Sequence, residues 1–112
     1  MSLHRYQSTQ NATEDARSTE YRLFAAVTRA LIESQARGGK GFVEAVDWNR
    51  RMWLTFQADL ASDENQLPDD VKAGLISLAI WVERHSAAVL RGRATIDPLI
   101  DVNKSVMGGL AG

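Results

Sequence analysis

The side chains best suited to moving a proton near neutral pH are His4 and His85, the only two histidines in the chain. His4 lies in a polar N-terminal stretch without pattern. His85 lies in a helical pattern, with Trp81 one turn back and Arg84 beside it. Neither has a nucleophile at a spacing that makes a catalytic pair. Asp97 and Asp101 are four apart and share a helix face, but no histidine joins them as a metal ligand, and Asp97 serves better at a helix start. There is no cysteine, which removes thiolate ligands, cysteine nucleophiles and disulfides. Gly38-Gly39-Lys40-Gly41 lacks the spacing of a phosphate-binding loop and follows no strand. No catalytic residue, metal site or cofactor is expected, and the chain reads as a protein that is not an enzyme.

Residues suited to gripping a partner are easier to find. In Trp48-Asn49-Arg50-Arg51-Met52-Trp53 two tryptophans sit beside two arginines, a combination that RNA-binding proteins use for stacking and phosphate contact. The helical wheel argues against that use. It turns Asn49 and Trp53 toward an apolar stripe and Arg51 nearly opposite, and it sets Trp48 more than about 100° from the stripe's centre with Met52 one turn on. Tryptophan and methionine favour protein interfaces, methionine because it adapts its shape. Trp81 is off its own helix's main stripe, among Gly74, Ser77 and Ala88, with Arg84 nearby. The candidate partner-binding residues are therefore Trp48, Arg51, Met52, Trp81 and Arg84. Asn49 and Asn103 are amides inside apolar stripes; each needs a hydrogen-bond partner, either within the protein or on a bound chain.

Four helices must position these side chains. Residues 1–12 read as a flexible polar arm, ahead of a single helical domain over residues 13–112. The first helix is expected from near Thr13, with Glu14 and Asp15 suiting its positive end. Tyr21, Phe24, Val27 and Leu31 form its stripe, flanked by Leu23 and Ile32, and Gly38-Gly39 stops it. The second covers about residues 41–60, with Phe42, Val46, Asn49, Trp53, Phe56 and Leu60 on one face. The third opens at Pro68, with Asp69 and Asp70 in its first turn, and closes at Gly92. It is apolar around most of its circumference. Val71, Leu75, Leu78, Ala79, Val82, Val89 and Leu90 form one face, and Ile76, Ile80 and Ala87 form another, so a central place in the bundle is expected. The fourth runs from Asp97 or Pro98 to Met107, with Leu99, Ile100, Asn103, Val106, Met107 and Leu110 as its stripe and Gly108-Gly109 as its stop. The fold class is all-α, a small bundle of about four helices.

The chain's 112 residues suit one domain with a modest core. Thirteen basic and fourteen acidic side chains leave a net charge of −1, without the basic excess of a nucleic-acid binder, so direct nucleic-acid binding is disfavoured. The first residues carry no apolar signal region, and the longest nearly apolar run, residues 75–82, is far below the roughly 20 residues that span a bilayer. A cytoplasmic protein without membrane insertion is the expectation.

Several short elements occur in an order that resembles the FlaF family of flagellar biosynthesis proteins. They are Tyr6-Gln7, Thr19-Glu20-Tyr21-Arg22-Leu23-Phe24, Asp47-Trp48-Asn49-Arg50-Arg51-Met52-Trp53, Asn65-Gln66-Leu67-Pro68, Ile76-Ser77-Leu78 with Arg84-His85, and Leu99-Ile100-Asp101-Val102-Asn103. Each is weak alone, and together they span nearly the whole chain. The resemblance implies a small helical cytoplasmic protein without catalysis or cofactor, needed for flagellin to accumulate and be secreted. Such a protein would bind flagellin as a dedicated chaperone or assembly factor, alongside an FlbT-like regulator that restrains translation of the flagellin messenger. Post-transcriptional control of flagellin, by contact with the messenger or through that regulator, is the alternative. The resemblance supplies no binding residues.

Overall fold

The computed structural model describes the backbone of residues 3–111 and the side chains of residues 17–110. Within them the chain forms four helices and no strand: α1 (Leu3–Arg37), α2 (Gly39–Ala61), α3 (Asp69–Leu90) and α4 (Asp97–Ala111). The molecule is elongated, 55 × 24 × 19 Å. The length comes from α1, whose 35 residues contain neither glycine nor proline to interrupt them. That is also why α1 begins at Leu3 and passes through Thr13, which was expected to cap it. The side chains of His4, Tyr6, Gln7, Thr13, Glu14 and Asp15, and of the expected arm over residues 1–12, lie outside the described residues.

Gly38 and Gly39 make the sharp turn from α1 into α2. Both have positive φ, 62° and 59°, a conformation that glycine adopts without strain. Pro68 stands one position earlier than expected, as the residue before α3, with φ −57° and ψ 148°. At its other end α3 closes through Gly92, φ 74°. The fourth helix does not stop at Gly108-Gly109 but runs through both to Ala111.

The core collects Phe24, Val27 and Leu31 from α1, Ala45, Val46, Met52 and Trp53 from α2, Ala79, Val82 and Val89 from α3, and Leu99 and Ile100 from α4, with Ile96 just before it. Phe24, Trp53 and Phe56 meet edge-on in a closed trio, with centroids 5.5 to 5.6 Å apart. Behind the trio lies a buried polar network. Trp53 Nε1–H donates to Asn103 Oδ1 at 2.8 Å; Asn103 Nδ2 donates to Asn49 Oδ1 at 2.8 Å and to Thr28 Oγ1 at 3.1 Å. Three helices are thus fastened at one point. Asn103 and the Asn49 carbonyl find their partners within the protein, and only Asn49 Nδ2 is left without one.

The expected central place of α3 is not observed. Helix α2 holds that place, lying against α1 on one side and α3 on the other, while α1 also packs on α4. Helix α3 packs along α2, meets α4 only narrowly, and buries only Ala79, Val82, Ser86 and Val89. Val71, Ile80 and Leu90, assigned to core faces by pattern, are each 42% exposed. By length and apolar composition alone, α3 would be able to cross a membrane. In the fold, the Arg50–Glu83 ion pair at 3.3 Å ties it to α2.

Candidate functional site

The five residues expected to bind a partner fall on separate sides of the molecule. Trp48 and Arg51 come together on the seam between α1 and α2. They help to line a shallow groove of about 640 Å³ floored by the small residues Ala30, Ser34, Gly41 and Ala45. Trp48 is 40% exposed, as its position off the stripe required. Arg51 Nε is held 3.1 Å from Asp47 Oδ2, while Asp47 Oδ1 accepts from Arg50, so one carboxylate fixes two guanidiniums. That pairing and the nearby Glu83 raise the Arg50 pKa, the hydrogen bond to Asp47 contributing most.

Met52 is not a surface residue; it is 5% exposed and belongs to the core. The correction follows from the place of α2. A helix covered on two sides has a wide buried arc, and Met52 falls within it.

Trp81 is half-buried and packs against the edge of the core. Its ring stacks on His85, with centroids 4.7 Å apart and planes at 19°. His85 Nε2 lies 2.8 Å from the Thr95 carbonyl oxygen, pinning α3 to the segment that leads into α4. The histidine is therefore a positioning element. Arg84 is exposed and lines neither of the two grooves described here. Among the described residues no cluster of histidine, aspartate and glutamate is able to hold a metal ion.

A larger groove went unnoticed in the sequence. It opens where the first half of α3 diverges from the last half of α4, and it has a volume of about 1080 Å³. Its walls are Leu75 and Leu78 of α3 and Val106 and Leu110 of α4, with Phe56 of α2 also lining it. Charged residues from α1, α2 and the following loop complete the lining: Arg17, Glu20, Asp59 and Glu64. Burial raises the pKa of Glu20, and Asp59 raises it further, against a smaller opposing effect of Arg17. The groove's end is shaped by Asn65. Its Oδ1 accepts the Leu67 N–H at 3.0 Å, and its Nδ2 donates to Asp59 Oδ2 at 3.3 Å, folding the loop back on α2.

The apolar residues of this groove were legible as core stripes. What no stripe shows is that the two helices carrying them diverge, so that both faces stay partly open. The stop signal Gly108-Gly109 does not end α4; Gly109 instead lines one wall of the groove without a side chain.

Comparison with known proteins gives one match of consequence. The family model described as Flagellar protein FlaF matches residues 2–110. No curated protein and no solved structure matches the chain.

Proposed function

The chain belongs to the FlaF family of flagellar proteins, and on that premise we propose that it binds flagellin and promotes flagellin synthesis and secretion as a dedicated chaperone or assembly factor. One observation carries this reading: the groove between α3 and α4 is open, apolar along both walls and large enough for a helix. A flagellin subunit awaiting export has amphipathic terminal segments that are disordered before polymerisation. Docking one of them as a helix in a groove would cover its apolar face and order it only on binding. The exposed Trp48 and Arg51 on the α1–α2 seam offer a second, smaller contact of the same kind.

The alternative is post-transcriptional control of flagellin, through the messenger itself or through an FlbT-like regulator. The two readings differ in their response to salt. Binding of a messenger by phosphate contacts falls steeply with added salt, because counterions are released on binding. An interface built on Leu75, Leu78, Val106 and Leu110 changes little. The deciding experiment is co-purification with flagellin at low and high salt, with and without RNase. Retention in all four conditions is the expected result. Loss on RNase treatment would transfer the function to the messenger.

A further inference from the structure

Gly108 and Gly109 lie inside α4, in a helix that would be firmer with almost any other residue there. Neither has a positive φ, so neither is required by the backbone. Neither makes room for a neighbour, since a Cβ added at either would meet nothing within 4 Å. The fold itself gives no use for them. Gly109, however, lines the large groove, with Ser105 one turn before it and Val106 and Leu110 beside them. A serine and a glycine four apart form a low ridge on which another helix's backbone can approach closely.

The charged residues lining the groove are unbalanced. Among the described residues, Glu20, Asp59 and Glu64 line it with one cation, Arg17. Glu20 is half-buried, and the carboxylate of Asp59 is near enough to make its ionisation harder. A cation placed there would relieve both effects. The volume also fits: an α-helix is about 10–12 Å across, so roughly four turns lying half-sunk displace on the order of 1000 Å³.

From these three features we infer that the groove holds one amphipathic helix of a partner protein, its backbone on the Ser105–Gly109 ridge, its apolar stripe on Leu75, Leu78 and Val106, and a lysine or arginine within that helix facing Glu20 and Asp59. This rests on the chaperone reading and adds to it the occupant's charge and its line of approach.

The test uses the full chain and two fluorescein-labelled synthetic helical peptides of roughly 18 residues, about 27 Å of helix. They are identical except for a lysine or a glutamate at one position beside the apolar stripe. The lysine peptide is expected to bind at least about tenfold more tightly at low salt, with the ratio shrinking as salt is added. In Glu20→Gln/Asp59→Asn the ratio is expected to collapse. Gly109→Leu is expected to abolish binding of both peptides while leaving the melting temperature unchanged or higher, because the added side chain enters open groove. Equal affinity for the two peptides would overturn the charge assignment while leaving an apolar groove. Unchanged peptide binding in Gly109→Leu would overturn the ridge as the seat. If both peptides fail while intact flagellin still binds, the groove is not where a helix docks. If the free chain is a dimer that Gly109→Leu converts to monomer, the occupant is a second copy and the inference falls.

Discussion

Replacing Asn103 by leucine would separate a structural amide from a partner-binding one. Asn103 and Asn49 are both fully buried and Trp53 is 1% exposed, so no group released by the change can turn to water. The wild-type amide accepts from Trp53 and donates to Asn49 and Thr28. Leucine has about the same size and ends all three bonds. Thr28 keeps an outlet, because its hydroxyl already points to Met107 Sδ at 4.0 Å. Trp53 Nε1–H and Asn49 Oδ1 have none. Each orphaned group costs about 1–3 kcal/mol, so a loss of about 2–6 kcal/mol is expected for the two, a large part of the roughly 5–15 kcal/mol that holds a domain of this size together. Asn49→Leu should cost less. It breaks one of these bonds, and it also removes Asn49 Nδ2, which has no partner in the wild-type fold. In the double variant Asn49 is no longer there to be orphaned, so the combined loss should fall short of the sum by about 1–2 kcal/mol. Urea titration followed by tryptophan fluorescence and far-ultraviolet circular dichroism measures all four corners of the cycle. An Asn103→Leu loss below about 1 kcal/mol, or strict additivity, would refute the network as a clamp. Intact stability with lost flagellin binding would return the amide to the partner.

Two further outcomes test the surface. Trp48→Ala is expected to cost less than about 1 kcal/mol of stability, as for an exposed residue outside the core, yet to weaken flagellin binding. A pull-down paired with thermal melts checks this, and proportionate losses in both would count against a contact on the α1–α2 seam. Glu20→Gln is expected to stabilise the chain at neutral pH. The folded-state pKa of Glu20 is raised, chiefly by burial. The stability that its protonated form contributes is therefore present in full below the ordinary carboxyl range and lost as pH rises through the raised value. Glutamine keeps the neutral form at every pH. The gain should be well under about 1 kcal/mol because Glu20 is partly solvated, and it should vanish when melts are repeated below about pH 4. A gain that persists in acid would locate the effect elsewhere.

Periodicity made most of the interior legible. Phe24, Val27 and Leu31 on α1, Val46, Asn49, Trp53 and Leu60 on α2, and Leu99, Ile100 and Asn103 on α4 are buried as their spacing required. Their stripes are one-sided, and a one-sided helix has only one way to face a core. The pattern failed where a residue's surroundings depend on a neighbour's position rather than on its own helix. Met52 looked like an interface residue because a single stripe was assumed, and α2 proved to be covered from two sides. Tyr21, Leu23 and Ile32, between 38% and 44% exposed, lie on arcs of α1 that no helix covers. Gly108-Gly109 carried a stop signal that the contacts of α4 overrode. The candidate groove was invisible for the same reason, since it is a gap between elements and has no motif.

Helix α3 shows why that gap persists. The aromatic trio and the Asn49–Asn103–Trp53 network fix α1, α2 and α4 to one another through buried side chains. Helix α3 has no share in either; α2 alone holds it along its length, with the His85–Thr95 bond near its C-terminal end. Its apolar residues meet α2 on one arc and the groove on the next, and Ile80 and Leu90 stay exposed outside both. Its half-exposed Leu75 and Leu78 stay uncovered because Val106 and Leu110 stand across an open space. A helix that served only the bundle would carry polar residues on that second arc, and α4 would carry a side chain in place of Gly109. The same two departures from a self-sufficient bundle, an over-apolar α3 and an under-furnished α4, face each other across one groove. That coincidence, more than any single residue, supports the proposal that the groove is a docking site.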